Sequence, residues 1–300
     1  MRSGRPGTMA ASLPVEHPRE PVSPLRAPRS LAADPAPGAA GAADILGYPV
    51  STADARACAA QVTEWLARGD RLRWAACINP HSYAVACEQP PFRAALLDAD
   101  WLLPDGAGIV LAARILDRPI RGRVTGSDLF AELHRIAGGA PGGLSVFLLG
   151  STDATLAKVR ERLGREHPGV RVAGTYAPPF APSFSEAENE AMVRAVNTAR
   201  ADVLWVSMTA PKQELWIHQH RDRLDVRFAA AVGAVFDFYV GNVKRSHPLA
   251  QRLGLEWLPR LLREPRRLWR RSFVSAPRFL RDTLRANLRE SAARRRGHRG

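Results

Sequence analysis

The chain has 300 residues, with 43 basic and 29 acidic side chains, 46% hydrophobic residues and three cysteines, a composition that excludes fibrous, disulfide-stapled and wholly disordered proteins. The formal net charge of +14 is concentrated: residues 244–300 hold 17 Lys or Arg against four acids, residues 1–43 hold five against three, and the stretch between is close to neutral. A nucleic-acid protein carries its cations on the folded binding face, so this distribution argues against that partner.

Residues 1–43 contain eight of the 24 prolines among Ala, Gly, Ser and Arg, which predicts a disordered leader. The leader has no continuous apolar stretch and so does not read as a secretory signal. No run approaches the ~18 apolar residues of a membrane span; the longest, at residues 228–236, is interrupted by Gly233. Cys58, Cys77 and Cys87 lack CxxC spacing, which fits reduced thiols in the cytoplasm.

Residues 44–243 read as one domain. Short apolar runs at 74–79, 101–103, 144–150, 170–176, 202–208 and 227–233 each end in Gly, Pro, Asn or Asp, or just before one, and are separated by segments of helical spacing. Among these, 107–116 reads as a helix, Leu156, Val159 and Leu163 share a helical face, and Ser185 with Glu188 has the spacing of a capping box. The alternation predicts an α/β fold, a Rossmann-like open and mostly parallel sheet whose ligand site lies outside the carboxyl ends of its strands. No internal repeat is present. In residues 244–300, Leu258, Leu261, Leu262, Leu268, Trp269, Phe273, Leu280 and Leu284 recur at helical spacing with Arg on the other faces, and Pro265 and Pro277 are expected to divide this appendage into short helices. Such a basic amphipathic segment, with Trp257 and Trp269, suits an anionic membrane surface. The other reading is a helical cap packed on the sheet.

Three places could carry chemistry. Pro104-Asp105-Gly106 follows a strand and precedes a helix, which puts the Asp105 carboxylate at the ligand edge as a candidate general base, although the tripeptide is also a common turn. Gly150-Ser151-Thr152 leads a strand into a helix N-terminus that could face a phosphate, but neither GxGxxG nor a Walker motif is present. Pro211-Lys212-Gln213-Glu214 opens a helix and could place Lys212 and Gln213 on a nucleotide. Asp98-Ala99-Asp100 spells a metal-binding DxD but precedes its strand, so two solvated acids at a helix end are expected. His218 and His220, two apart, point to different sides of a helix. No metal site is expected.

Taken in order, several blocks resemble the TagA/WecG/CpsF family of bacterial glycosyltransferases over about residues 45–280. They are Asn79-Pro80, Pro104-Asp105-Gly106, Arg123 through Asp128, Val146 through Gly150, Pro211 through Glu214, Gly233 with Phe236-Asp237, Gly241 with Lys244-Arg245, Gly254-Leu255-Glu256-Trp257 with Arg260, and Glu264-Pro265 with Arg267, Arg270 and Arg271. The resemblance implies inverting, metal-independent transfer of a sugar, N-acetylmannosamine or a related hexose, without a cofactor. The donor would be a UDP-sugar and the acceptor a polyprenyl-diphosphate-linked saccharide at the cytoplasmic face of the membrane, in cell-envelope or exopolysaccharide assembly. It implies Asp105 as general base, Asn79 and Arg123 at the donor, and Gln213 near the nucleotide. Arg260, Arg267 and Arg270 would complete the site from an appendage that also docks on the membrane. The family usually has Thr where Cys77 stands, and a thiol hydrogen-bonds more weakly than a hydroxyl at this donor contact. A nucleotide-binding oxidoreductase on the same sheet and a nucleic-acid module using the Arg-rich tail are the alternatives. A homo-oligomer is left open.

Overall fold

The computed structural model describes residues 41–69, 71–139, 143–243 and 270–297, with the side chains of 270–272 and 297 outside the description. Most of the expected leader and the appendage residues 244–269, which include Trp257, Arg260, Pro265, Arg267 and Trp269, lie outside the described residues. The strands are β1 (Ala42–Ile45), β2 (Tyr48–Ser51), β3 (Arg73–Ile78), β4 (Trp101–Pro104), β5 (Leu144–Gly150), β6 (Val170–Tyr176), β7 (Val203–Ser207) and β8 (Phe228–Ala231). They form one eight-stranded sheet in the order β1-β2-β4-β3-β8-β7-β5-β6. Every pairing is parallel except that of β1 with β2.

All six expected strands are present. The β1–β2 hairpin is an addition to them, and β1 begins inside the expected leader. Its turn has positive φ at both Leu46 (55°) and Gly47 (84°), the geometry that matches the strand twist of a two-residue hairpin loop. Residues of β4, β5, β7 and β8 are all buried, which explains their unbroken apolar runs.

The helices are α1 (Ala55–Arg68), α2 (Pro80–Glu88), α3 (Pro90–Asp98), α4 (Ala107–Ile115), α5 (Gly126–Ala137), α6 (Asp153–Glu166), α7 (Glu186–Ala199), α8 (Lys212–His220), α9 (Val235–Tyr239) and α10 (Ala276–Gly297). They cover both faces of the sheet. Helices α2, α3, α4, α7, α8 and α10 contribute to the core on one face, around Trp74 and Leu204. Helices α1, α5, α6 and α9 contribute to the other, around Trp205 and Phe228. Leu156, Val159 and Leu163 are buried as their spacing predicts, and the Ser185–Glu188 capping box is formed. In the second core, Trp205 Nε1 donates to His134 Nε2 at 3.3 Å, while the buried His134 Nδ1 has no partner among the described residues. Burial, with a smaller contribution from His167, pushes the His134 pKa down to about 3.

The C-terminal helix departs from expectation. Pro277 lies in its first turn, where a missing N–H costs nothing, so the chain continues as a single 22-residue helix instead of a short one. A π-helical turn, Arg270–Ser275, leads into it. Phe279 (3% exposed) and Thr283 (0%) face the body. The Phe279 ring meets Tyr83 of α2 edge-on at 5.2 Å, and the Tyr83 hydroxyl donates to Asp282 at 3.2 Å. Arg278 pairs with Glu88, and Arg118 with Glu290. The expected stripe points the other way: Leu280 and Leu284 are 40% and 46% exposed, and Leu288, one turn further on, is 69% exposed. The helix therefore caps the sheet domain and also presents an apolar outer face.

Candidate active site

Adjacent strands β3 and β8 send the chain to opposite faces of the sheet, β3 into α2 and β8 into α9, which opens a crevice at their carboxyl ends. Asn79 ends β3 and caps α2. Its Oδ1 accepts from the backbone N–H groups of His81 and Ser82, both at 3.0 Å, and this leaves its Nδ2 to donate to Asp105 Oδ2 at 3.1 Å. The Asp105 N–H donates to the Ile78 carbonyl at 2.9 Å, so the turn after β4 is tied to the end of β3. Gly106 has φ +92°, which a side chain would strain. A Cβ on Gly108 would stand 2.4 Å from Pro80, so α4 and α2 cross closely at their starts. Asp105 and Asn79, read separately from the sequence, are brought together.

Arg123 lies on the loop between α4 and α5. The next residue, Val124, donates its N–H to the Pro104 carbonyl at 2.9 Å, which brings this loop alongside Asp105. Thr125 and Asp128 form a reciprocal cap on α5. A Cβ on Gly126 would stand 3.0 Å from the Val232 Cα, so the start of α5 presses on the end of β8. The Gly126 backbone also acts on the Cys77 thiol, opposing the rise of its pKa. Burial pushes that thiol well above its ordinary pKa, with Asp105, Glu214 and Asp128 adding to the effect, so Cys77 is a protonated thiol among carboxylates.

The start of α8 follows a cis Ala210–Pro211 bond. Here the polar side chains turn inward. Lys212 Nζ donates to the Ala181 carbonyl at 2.6 Å and sits 4.4 Å from the centroid of the Phe184 ring, pinning the loop after β6. Gln213 is 4% exposed. Its Oε1 accepts from the N–H groups of Met208 (3.3 Å) and Gly233 (2.9 Å), and its Nε2 donates to Glu214 Oε1 at 2.8 Å. The sequence pattern places both residues at the ligand edge, yet their polar atoms are engaged within the protein. Burial raises the Glu214 pKa to about 7, partly offset by the Gln213 hydrogen bond and its own backbone.

At the end of β5, Thr152 caps α6 by accepting from the Thr155 N–H, so part of that helix N-terminus is occupied by its own side chain. Thr155 and Asn242 both donate to Asp237 Oδ1, at 3.4 and 3.2 Å. No spacing rule joins these three positions, and sequence reasoning did not bring them together.

Asp98 and Asp100 are not solvated. Asp98 (side chain 12% exposed) pairs with His218 and Arg221. Asp100 (13%) accepts from Arg71 and from the Trp74 N–H at 3.0 Å. Both lie at the amino end of β4, across the sheet from Asp105. His220 is buried beside Trp216, away from the His218–Asp98 pair. Among the described residues, no group of three or more His, Cys, Asp or Glu could hold a metal ion. Arg260 and Arg267 lie outside the described residues; Arg270 opens the π-helical turn, with its side chain outside the description.

The sequence profile of the Glycosyl transferase WecG/TagA/CpsF family matches residues 43–293. The chain belongs to the WecG/TagA/CpsF glycosyltransferases. It is 32% identical over 206 residues, 69% of this chain and 76% of the relative, to an N-acetylglucosaminyldiphosphoundecaprenol N-acetyl-beta-D-mannosaminyltransferase of Bacillus spizizenii strain W23. It is 28% identical over 202 residues, 67% of this chain and 75% of the relative, to a Bacillus subtilis strain 168 protein of the same name. The WecG/TagA/CpsF match runs from β1 into α10, so the Arg-rich C-terminal segment is part of the family unit. Membership makes the protein a glycosyltransferase and sets aside the oxidoreductase and nucleic-acid readings.

Proposed function

We propose that this glycosyltransferase moves N-acetylmannosamine, or a related hexose, from a UDP-sugar to a polyprenyl-diphosphate-linked saccharide, with inversion and without a metal, in cell-envelope or exopolysaccharide assembly. The names of its relatives support the sugar and the lipid-diphosphate acceptor. The observation that carries the reading is the Asn79–Asp105 pair at the carboxyl ends of β3 and β4. Asn79 is held by its cap on α2 and in turn holds the Asp105 carboxylate, leaving an acceptor-only group aimed from a fixed turn. In a single displacement Asp105 takes the proton of the attacking hydroxyl while its oxygen bonds to the anomeric carbon. The bond to the diphosphate breaks on the opposite side, and the electron pair leaves with UDP.

The leaving diphosphate gains negative charge and needs cations placed beforehand. Arg123, on the loop beside Asp105, and Arg260, Arg267 and Arg270 of the appendage are the residues for that task. The metal-free reading is supported by the engagement of Asp98 and Asp100, the one DxD match, with cations of their own at the opposite edge of the sheet. No described helix is long and apolar enough to cross a membrane. The outer face of α10, where Leu280, Leu284 and Leu288 adjoin Arg281, Arg285 and Arg289, fits peripheral docking on an anionic surface at the cytoplasmic side.

The deciding assay incubates the full-length enzyme with lipid-linked N-acetylglucosamine and a panel of UDP-sugars, with and without chelator, and identifies products by mass. An acceptor heavier by one N-acetylhexosamine, with UDP released and chelator without effect, is expected. Transfer from no UDP-sugar would overturn the reading, and transfer restored only by a divalent ion would overturn its metal-independent part. Replacing Leu280, Leu284 and Leu288 together by Gln should weaken co-sedimentation with anionic vesicles while leaving turnover on a soluble acceptor analogue intact.

A further inference from the structure

Glu214 is a buried acid that the mechanism above does not use. It is 2% exposed, its Oε1 accepts from Gln213 Nε2 at 2.8 Å, and its Oε2 has no partner among the described residues. An orphaned buried oxygen calls for a reason, because leaving it unmet costs free energy that an apolar residue of similar size would avoid. We propose that Glu214 is a positioning residue for sugar transfer: by accepting from the Gln213 carboxamide, it fixes the amide orientation that ties the ends of β7 and β8 together at the floor of the donor crevice.

A carboxamide presents two faces that are not interchangeable. The Gln213 oxygen must face two backbone donors, those of Met208 at the end of β7 and Gly233 past the end of β8. Its amino group therefore points the other way and needs an acceptor. Glu214 supplies one at the adjacent position. Were the amide turned over, its NH2 would face two N–H groups, and both backbone donors would lose their partner. The buried Cys77 thiol at the end of β3 feels the charge of both Glu214 and the proposed base Asp105.

The chemical state of the acid adds to this geometry. Burial raises its pKa to about 7, so near neutral pH much of it is uncharged. Ionisation would add a second negative charge to the one from Asp105 that acts on Cys77, on the side of the sheet where a diphosphate must bind. Around Glu214, α8 itself carries Lys212, His218 and His220, and β8 presents no titratable residue. From α3 come Arg93, which is held at the Tyr48 hydroxyl, and Asp98, which pairs with Arg221 of the turn after α8; Cys77 acts on it from β3. Lys212 is already held by Ala181 and Phe184, so no cation among these groups is set to neutralise an ionised Glu214.

The inference rests on the sugar-transfer reading, and the test separates the two. Donor KM, kcat and UDP affinity are measured for full-length wild type, Glu214→Gln and Glu214→Ala between pH 6 and 8.5. Gln keeps the acceptor and cannot ionise, so it should hold donor KM near the wild-type value at pH 6 and abolish the rise of KM expected of wild type above about pH 7. Ala leaves the Gln213 amino group unmet and should raise donor KM and weaken UDP binding roughly 5- to 100-fold, with a smaller change in kcat. An Ala variant with wild-type KM and UDP affinity would overturn the proposal. So would a Gln variant as inactive as one lacking Asp105, since Glu214 would then act on the reacting atoms directly. If the Ala variant does not fold, the pH profile of the Gln variant decides: a wild-type rise in KM above pH 7 counts against the proposal. Failure of the sugar-transfer reading would show in the wild type itself, whereas failure of this inference shows only in the Glu214 variants.

Discussion

The two sides of the crevice use the same local device and commit it differently. On the β3–β4 side, Asn79 and Asp105 follow strand ends, and their side chains meet each other at the ligand edge. On the β7 side, Lys212, Gln213 and Glu214 also follow a strand end, but, Glu214 Oε2 apart, their side-chain polar atoms are engaged by Ala181, by the N–H groups of Met208 and Gly233, and by one another. A polar motif after a strand thus marks the place of a site without saying whether its atoms face the substrate or the frame. What decides is whether a backbone donor or acceptor lies within reach inside.

If the division is right, Asp105→Asn should lower turnover by roughly 10²–10⁴ while UDP binding changes little, the range for a positioned general base. Single-turnover kinetics with a UDP-binding titration measure both, and near wild-type turnover would move Asp105 from the chemistry to the frame.

Stability against pH tests the buried groups next. Glu214 has a folded pKa near 7, raised above its ordinary value of 4.5, so between those values the folded chain holds a proton that the unfolded chain has released. Its contribution therefore falls as pH rises through that window, by up to about 3 kcal/mol. His134 runs the other way. Lowered from 6.5 to about 3, it remains neutral while the unfolded chain takes up a proton, so stability is lost as pH falls from 6.5 towards 3. Denaturant midpoints from pH 3 to 8 should lose the first slope in Glu214→Gln and the second in His134→Phe.

Asn79→Asp sharpens the active side. Asp caps a helix as well as Asn does, so the melting temperature should stay within a few degrees. The new carboxylate would stand against Asp105, and the two would share a proton, so turnover should fall about tenfold at pH 6 and recover as pH rises. A loss of the same size at every pH would point to lost hydrogen bonding instead. The smallest effect belongs to Lys212→Met. It should cost about 1 kcal/mol of stability by releasing Ala181 and Phe184, and change donor KM no more than a few-fold. A rise in donor KM well beyond tenfold would return Lys212 to the substrate.

Much of this was legible in the sequence. Of the six strands legible in the sequence, β4, β5, β7 and β8 announced themselves because a strand buried on both faces must be apolar throughout, and Asp105 could be placed because Pro-Asp-Gly closes such a strand. The hairpin escaped because Ala42–Ile45 and Tyr48–Ser51 are only four residues each and Leu46-Gly47 is not a common turn pair. Asp98 and Asp100 read as solvated because their partners are remote: Arg71 lies 29 positions from Asp100, and His218 lies 120 from Asp98. The engagement of Gln213 was hidden for the same reason, since the Gly233 N–H it receives is 20 positions away. Local spacing reports on faces and turns, and it is silent about contacts made by folding.

The seat of α10 bears on how this enzyme can be shortened. Phe279 covers Tyr83, and the Tyr83 ring in turn meets Tyr48 of the hairpin at 6.1 Å, so one aromatic seam joins the C-terminal helix, α2 and the first strands. A chain cut after Val243 would bare that seam and strand Glu88 and Arg118 without their partners Arg278 and Glu290. It would tend to aggregate for reasons unrelated to catalysis or lipid. A cut after Glu290 removes Arg294, Arg295, Arg296 and Arg299 yet leaves the seam closed, and is the truncation from which a loss of membrane affinity can be read cleanly.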